Sequence, residues 1–157
     1  KNGIHHVTGV EHNEVARPSE DAKNRIKMMD KRLNKLNNLK TPNPVITNAK
    51  HSTPDVLIVG MGSNRGTIEE AAQRLENDGL KVNQLHVRLV WPFPTEEIKP
   101  YVENAKTVIV VENNATAQLA NQIKMHVGMH DKIKSVLKYD GNPFLPSIVY
   151  KECKELL

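Results

Sequence analysis

Several groups of residues in this chain have types and spacings that could do chemistry. The stretch DVLIVGMGSNRGTIEE, Asp55 to Glu70, reads as a buried strand running through a glycine-rich turn into a helix, which is how α/β folds aim backbone N–H groups at a phosphate. Its glycines, Gly60, Gly62 and Gly66, spell G-x-G-x-x-x-G, one residue longer than the dinucleotide fingerprint. The end of the next strand, Arg88 to Trp91, brings no acid for a ribose hydroxyl. Thr67 and Glu70 form a T-x-x-E pattern, which predicts a capping box that satisfies the helix's free amides internally. Glu69 and Glu70 add negative charge where a phosphate would lie. No Gly-Lys-Ser/Thr triplet is present, so a P-loop is excluded.

The segment HHVTGVEHNE holds His5, His6, Glu11, His12 and Glu14, residue types that ligate zinc and other divalent metals. In a strand, successive members of this set would face opposite ways, and the spacing matches neither HExxH nor a facial triad. No metal site is assigned. YDGN, Tyr139 to Asn142, resembles the opening of a thiamine-diphosphate motif but lacks the preceding glycine, and reads as an Asp-Gly turn. Cys153 has no His or Lys arrangement around it that marks a nucleophile, and is expected to pack in a closing helix. No catalytic or cofactor-binding residue is assigned.

In an open α/β sheet, ligands and partners meet beyond the carboxyl ends of the strands at the topological switch point. If the strands ending in GSNRG and ENNAT are neighbours, Gly62, Ser63, Asn64, Arg65, Glu112, Asn113 and Asn114 share one rim. Phe93, between the two prolines of VWPFPTEE, belongs to a rigid elbow at the same strand ends, with Thr95 placed to cap the next helix and Pro100 placed to delay its regular part. These eight residues are the candidate interface or anion rim. Taken singly, each also reads as a turn or capping residue.

The elements that would position them emerge from periodicity. Ala22, Ile26, Met29, Leu33 and Leu36 recur at alternating spacings of four and three, predicting a basic amphipathic helix over about 19–40, capped by Ser19 with Glu20 and Asp21 in its first turn. Asn37 to Pro54, rich in Asn, Pro and Thr, reads as a linker. Residues 1–54 are therefore expected to form an arm and 55–157 an α/β domain. Within that domain strands are predicted at Asp55–Gly60, Lys81–Leu89, Thr107–Glu112 and Ile133–Tyr139, and helices at Ile68–Asp78, Thr95–Ala105, Thr116–Val127 and Leu145–Leu156. Runs such as VLIV and TVIVV are apolar without alternation, as strands buried on both faces of a parallel sheet require. The fold class is α/β with three layers.

The charge is uneven. Of the net charge of +4 over 157 residues, Arg17 to Lys40 supplies eight basic residues against three acids. That excess belongs to one helix and lacks the interleaved aromatics on which single-stranded nucleic acid stacks, so no nucleic-acid partner is assigned. The longest apolar run is far shorter than the roughly 20 residues of a membrane span, and no signal peptide is evident. One cysteine excludes an internal disulfide framework and an iron–sulfur cluster ligated wholly within the chain. A cytoplasmic location is expected. The chain begins at Lys1 without a methionine and reads as a piece of something longer.

Taken together, LIVGMGSNRGTIEEAAQRLENDGLKVNQLHVRLVWPFPTEEI, TVIVVENNATAQLANQI and the leading VTGVEHNEVARPSEDAKNRIKMMDKRLNKL resemble the C-terminal portion of the alpha subunit of 2-oxoacid:ferredoxin oxidoreductases, especially the 2-oxoglutarate type. The most specific pieces are Thr8 to Glu14 with the Lys31-Arg32 helix, the Gly62-Ser63 turn, Pro92-Phe93-Pro94, and Val111-Glu112-Asn113 followed by Gln118-Leu119. Family members commonly carry Gly where this chain has Ala117, and Gln or a similar residue at one of the asparagines. The resemblance implies a fold like the C-terminal domain of transketolase: an α/β/α sandwich on a mostly parallel sheet of four to five strands with one antiparallel edge, the fifth strand expected from His5 to Val10. It implies a holoenzyme that decarboxylates a 2-oxoacid on thiamine diphosphate with Mg, passes electrons through an iron–sulfur cluster to ferredoxin, and hands the acyl group to coenzyme A. Cofactors would be held mainly by other domains and the beta subunit. This piece is then a non-catalytic, subunit-contacting domain, inactive alone. The alternatives left open are a free-standing anion- or nucleotide-binding domain using Gly62 to Arg65, and a related module of a pyruvate-type or other thiamine enzyme.

Overall fold

The computed structural model describes residues 6–157. The chain divides into two compact units, 1–40 and 41–157.

In the first unit, α1 spans Ala22–Asn37. Its cap is Asp21, whose carboxylate accepts the Asn24 N–H at 2.7 Å; Ser19, the expected cap, lies two residues too early for the first free amides. The apolar period is helical as read, yet Ile26, Met29, Leu33 and Leu36 are all exposed and Met28 is buried. Glu11 and Glu14, considered above as metal ligands, are ion-paired to α1: Glu11 with Arg25 and Arg32, and Glu14 with Lys27. The paired guanidinium groups hold the Glu11 carboxyl at about 2. His5 lies outside the described residues, and His6 to Val10 form no strand.

The second unit is built on a five-stranded sheet of order β1-β3-β2-β4-β5: β1 (Val45–Asn48), β2 (Val56–Met61), β3 (Val82–Val87), β4 (Thr107–Glu112) and β5 (Ile133–Leu137). Four strands are parallel and β1 pairs antiparallel with β3, Val45 opposite Val87 and Asn48 opposite Gln84. The fifth strand thus comes from the stretch read as a linker, not from His5 to Val10. The unit boundary falls before Thr41 for the same reason. An edge strand with a half-buried Val45-Ile46 and an exposed Thr47-Asn48 carries too few apolar residues to announce itself.

The non-alternating runs are where full burial is found: Val56 to Val59 on β2 and Val108 to Val111 on β4 are completely inaccessible. One face of the sheet packs on α2 (Arg65–Asn77) through Ile68, Ala71, Ala72 and Leu75 and on α5 (Pro146–Leu156) through Val149 and Cys153. The other packs on α3 (Thr95–Asn104) through Ile98 and Val102 and on α4 (Gln118–Val127) through Leu119, Ala120 and Ile123. The result is the expected α/β/α sandwich.

Two expected helix starts are corrected. Gly62, at φ 60, lets the chain leave β2 directly into a single 3-10 turn, Gly62–Asn64, so that α2 begins at Arg65 and Thr67 already lies inside it. The Thr67–Glu70 capping box does not form: the Thr67 hydroxyl donates to the Phe144 carbonyl at 3.4 Å and Glu70 pairs with Arg74 one turn on. In α3, Thr95 is the first helical residue rather than the cap, and Pro100 sits inside the helix without delaying it. The Asp140-Gly141 turn forms as read, with Gly141 at φ 83 and the Asp140 carboxylate accepting the Asn142 N–H.

Candidate functional site

The order of the sheet puts the topological switch point between β2 and β4, since the chain proceeds from β2 outward on one side to β3 and on the other to β4. There the two loops meet. A cavity of about 280 Å³ is lined by Gly62, Ser63, Asn64, Glu112, Asn113 and Asn114, with Met61 and Gln118. Six of the eight rim residues are therefore brought together. Arg65 is not among them: its guanidinium turns back to Glu69 at 2.8 Å, beside His86 over β3. Phe93 lies at the β3 elbow, its ring stacked on His126 with centroids 4.8 Å apart.

The hydrogen bonds of the rim decide what it can bind. Asn64 is buried and its amide donates to the Val111 carbonyl at 3.2 Å, tying the end of β2 to the end of β4. Glu112, 1% exposed, accepts from Leu119 N–H at 2.8 Å, Ala120 N–H at 3.2 Å and the Asn114 amide at 2.6 Å. The Asn114 carbonyl oxygen in turn accepts from Thr116 N–H and Gln118 N–H. The first three amides of α4, which an anion would use, are thus already taken by side chains of the preceding strand and loop. A buried carboxylate occupies the positive end of the helix dipole. This arrangement replaces a cap at Ala117, which sits in the left-handed region at φ 52, ψ 47 and makes no side-chain cap bond. No Lys, Arg or His lines the cavity. Ser63 and Asn113 remain exposed on its lip.

These residues do not fit the cofactors that the resemblance implies. A diphosphate in this cavity would face the Glu112 carboxylate with no cation among the lining residues; Lys138, in the adjoining cavity that shares Ser63 and Asn113, is ion-paired to Asp140. Cys153 is buried in α5, and burial pushes its thiol up to about 12, far from a cluster-ligating thiolate. Among the described residues no three His, Cys, Asp or Glu side chains converge as metal ligands.

Sequence reasoning passed over one part of the strand ends. Along α4, Gln118, Gln122 and His126 recur every fourth residue, a spacing that places them on one face. They flank the elbow residue Trp91, whose ring lies 6.4 Å from that of His126. The repeat was legible in QLANQIKMH; that the face borders Trp91 was not. His86 is the other unread residue. Its Nδ1 has no partner, and burial, with Arg65 and Arg88 nearby, pushes its pKa down.

Residues 54–149 match the family described as pyruvate:ferredoxin oxidoreductase core domain II. The chain is 30% identical over 155 residues to a 2-oxoacid:ferredoxin oxidoreductase subunit alpha of Saccharolobus solfataricus, covering 97% of this chain and 24% of that protein. It aligns with the 2-oxoglutarate:ferredoxin oxidoreductase of Magnetococcus marinus, solved with 2-oxoglutarate, coenzyme A and succinyl-CoA bound, at 31% identity and a TM-score of 0.80, covering 99% of this chain and 27% of that one. A split-gene transketolase, at 16% identity and a TM-score of 0.60, shares the fold. The chain therefore spans about a quarter of the length of the alpha subunits it matches. On the match over 54–149, carried by the sheet and the helices on both its faces, the chain belongs to the pyruvate:ferredoxin oxidoreductase core domain II family.

Proposed function

We propose that this chain is a non-catalytic, subunit-contacting part of the alpha subunit of a 2-oxoacid:ferredoxin oxidoreductase, with 2-oxoglutarate as the oxoacid of the assembled enzyme. The observation that carries the non-catalytic reading is the closed end of α4: Glu112 and Asn114 consume the amides that a phosphate would need. Ser63 and Asn113 are left on the lip, where they also line a cavity with Lys138, itself ion-paired to Asp140, a polar surface suited to a protein contact. The same feature counts against a free-standing anion-binding domain using Gly62 to Arg65, as does the pairing of Arg65 with Glu69. Support for 2-oxoglutarate comes from likeness to the Magnetococcus enzyme across nearly the whole chain. On this reading thiamine diphosphate, Mg and the iron–sulfur cluster belong to other parts of the enzyme, the beta subunit and ferredoxin are its protein partners, coenzyme A its acyl acceptor, and the cytoplasm its location.

The test is co-purification of alpha and beta subunits carrying Asn113→Ala or Phe93→Ala, with ferredoxin-linked turnover then measured on 2-oxoglutarate, pyruvate and branched 2-oxoacids. Weakened assembly with both variants and preference for 2-oxoglutarate are expected. Unchanged assembly and turnover would remove the contact role of Asn113 on the rim and of Phe93 at the β3 elbow, and preference for another oxoacid would remove the substrate assignment. Saturable micromolar binding of phosphate or coenzyme A by the 157-residue chain, measured calorimetrically, would favour the anion-binding alternative.

A further inference from the structure

The first unit carries the whole charge imbalance of the chain. Residues 1–40 hold nine Lys and Arg against five acids, while residues 41–157 hold thirteen of each. Part of that excess is ordered. Lys23, Lys27, Lys31 and Lys35 recur at every fourth position of α1, so they form one row about 18 Å long on its surface. All four are exposed. Like charges four residues apart destabilise a helix, and α1 bears three such steps in succession. Segment 11–18 relieves them only in part: Glu14 pairs with Lys27 and lies near Lys31, while Lys23, Lys31 and Lys35 form no ion pair among the described residues. Glu11 meanwhile holds both guanidinium groups of the helix, Arg25 and Arg32. Even with Asp30 at its border, the row keeps an excess of positive charge.

These features select an occupant. Ammonium groups are hydrated point charges with no fixed geometry, unlike the planar fork of arginine. They suit a partner that is met briefly and steered by charge. Nucleic acid is disfavoured, because the two arginines that would grip phosphate bidentately are engaged by Glu11 and α1 holds no aromatic residue on which bases could stack. A bilayer is disfavoured too. The exposed apolar stripe of Ile26, Met29 and Leu33 lies roughly half a turn away from the row, so a membrane that took the stripe would leave Lys27 and Lys31 pointing into water. What remains is a carboxylate-rich protein surface. Relatives of this chain are subunits of ferredoxin oxidoreductases, and weak encounters with redox carriers use small interfaces. An iron–sulfur carrier also brings negative charge of its own, since its cluster is held by thiolates. We infer that the lysine row of α1 receives the acidic face of the ferredoxin that the assembled enzyme reduces. This inference rests on the reading of the chain as part of a 2-oxoacid:ferredoxin oxidoreductase and adds to it the place and chemistry of one contact.

The experiment uses the assembled oxidoreductase and its ferredoxin. Lys23→Gln/Lys31→Gln/Lys35→Gln removes the unpaired charges and keeps good helix formers. Lys81→Gln/Lys99→Gln/Lys151→Gln, at exposed lysines of the second unit, makes the same change in net charge elsewhere. Oxoacid-driven reduction is followed with ferredoxin and, separately, with a small viologen dye that needs no docking surface. The α1 variant is expected to raise the KM for ferredoxin about tenfold at low salt and to flatten the fall of kcat/KM with ionic strength. Dye reduction and association of the subunits are expected to stay unchanged. The control variant should match wild type, and Lys23→Arg/Lys31→Arg/Lys35→Arg should keep most of the affinity for ferredoxin. Wild-type ferredoxin kinetics in the α1 variant, an equal loss in the control, or weakened subunit association would each overturn the proposal. So would saturable binding of RNA or of phosphatidylserine vesicles that the α1 variant loses while its ferredoxin kinetics stay as in wild type. If the wild-type enzyme drives both acceptors and the α1 variant leaves ferredoxin kinetics unmoved, this contact alone falls. Failure of the wild-type enzyme to reduce either acceptor with any 2-oxoacid would instead remove the oxidoreductase reading itself.

Discussion

Three glycines near the start of α2 illustrate how one residue type serves different physical ends. A Cβ on Gly60 would collide with Ile68 Cδ1, so this glycine is what lets α2 close on β2. Gly60→Ala is expected to cost about 1–3 kcal/mol as overpacking. Most of that loss should be recovered in Gly60→Ala/Ile68→Val, because the second change deletes the clashing methyl; a denaturant double-mutant cycle reads the coupling. Gly62 is needed for its positive φ. Gly66 has neither constraint, lying within α2 with open space around it, so Gly66→Ala is expected to stabilise by roughly 0.5–1 kcal/mol. Ala117 is the reverse case, a side chain where the backbone asks for none. A left-handed L-residue costs about 1–2 kcal/mol, partly offset by the extra freedom of glycine in the unfolded chain. Ala117→Gly should therefore raise the melting temperature by about 2–4 °C per kcal/mol gained, and it would restore the residue expected from the family resemblance. Cys153 should be inert to thiol reagents until the fold opens, given a thiol pushed up to about 12 by burial.

At the scale of elements, the chain closes its helix ends by different devices, and sequence reading recognised the need better than the means. Asp21 caps α1 locally, and Glu112 caps α4 from the preceding strand. The second could not be seen in the sequence because it depends on Ala117 turning the chain so that Leu119 and Ala120 present their amides to a residue seven or eight positions back. Glu112→Ala is expected to destabilise by at least about 2 kcal/mol, since it leaves two buried N–H groups unmatched, with loss of amide-exchange protection confined to α4. The ion pairs of α1 make its attachment to the 11–14 segment pH-dependent. Glu11 is ionised down to about 2 in the folded state, below its unfolded value. Its contribution is therefore present above the unfolded pKa and is lost as pH falls from about 4.5 through about 2. Circular dichroism should show α1 signal falling across that window in the wild type, while Glu11→Gln shows the lower signal at neutral pH and no such step.

For the whole molecule, the most consequential difference is the place of β1. A chain starting at Thr41 retains all five strands and is expected to unfold cooperatively by itself. One starting at Asp55, the boundary suggested by composition, loses β1 and bares the hydrogen-bonding edge of β3. That truncation should be less stable and prone to aggregate, which melting and light scattering of the two truncations would show. Nearly all of the α/β/α sandwich was legible because β2, β4 and the inner faces of α2 and α4 are patterned by burial, and burial writes directly onto residue type. The convergence of GSNRG with ENNAT was also legible, since it depends only on the placement of two buried parallel strands at the centre of the sheet.

The sequence by itself determined the class of fold and the place of every interior strand and helix, because these depend on local periodicity and on runs of apolar residues; the family was expected from the resemblance of particular motifs and is shown by the match over 54–149. The tertiary structure alone decided the edge strand, which helix ends are closed and by whom, and that Arg65 and Phe93 leave the rim while Trp91, Gln122 and His126 frame a groove. Those outcomes depend on hydrogen bonds and contacts between residues distant in the chain, which no local pattern encodes. The rim beside the glycine turn is closed to phosphate by such a contact: the Glu112 carboxylate reaches forward from β4 to the amides of α4.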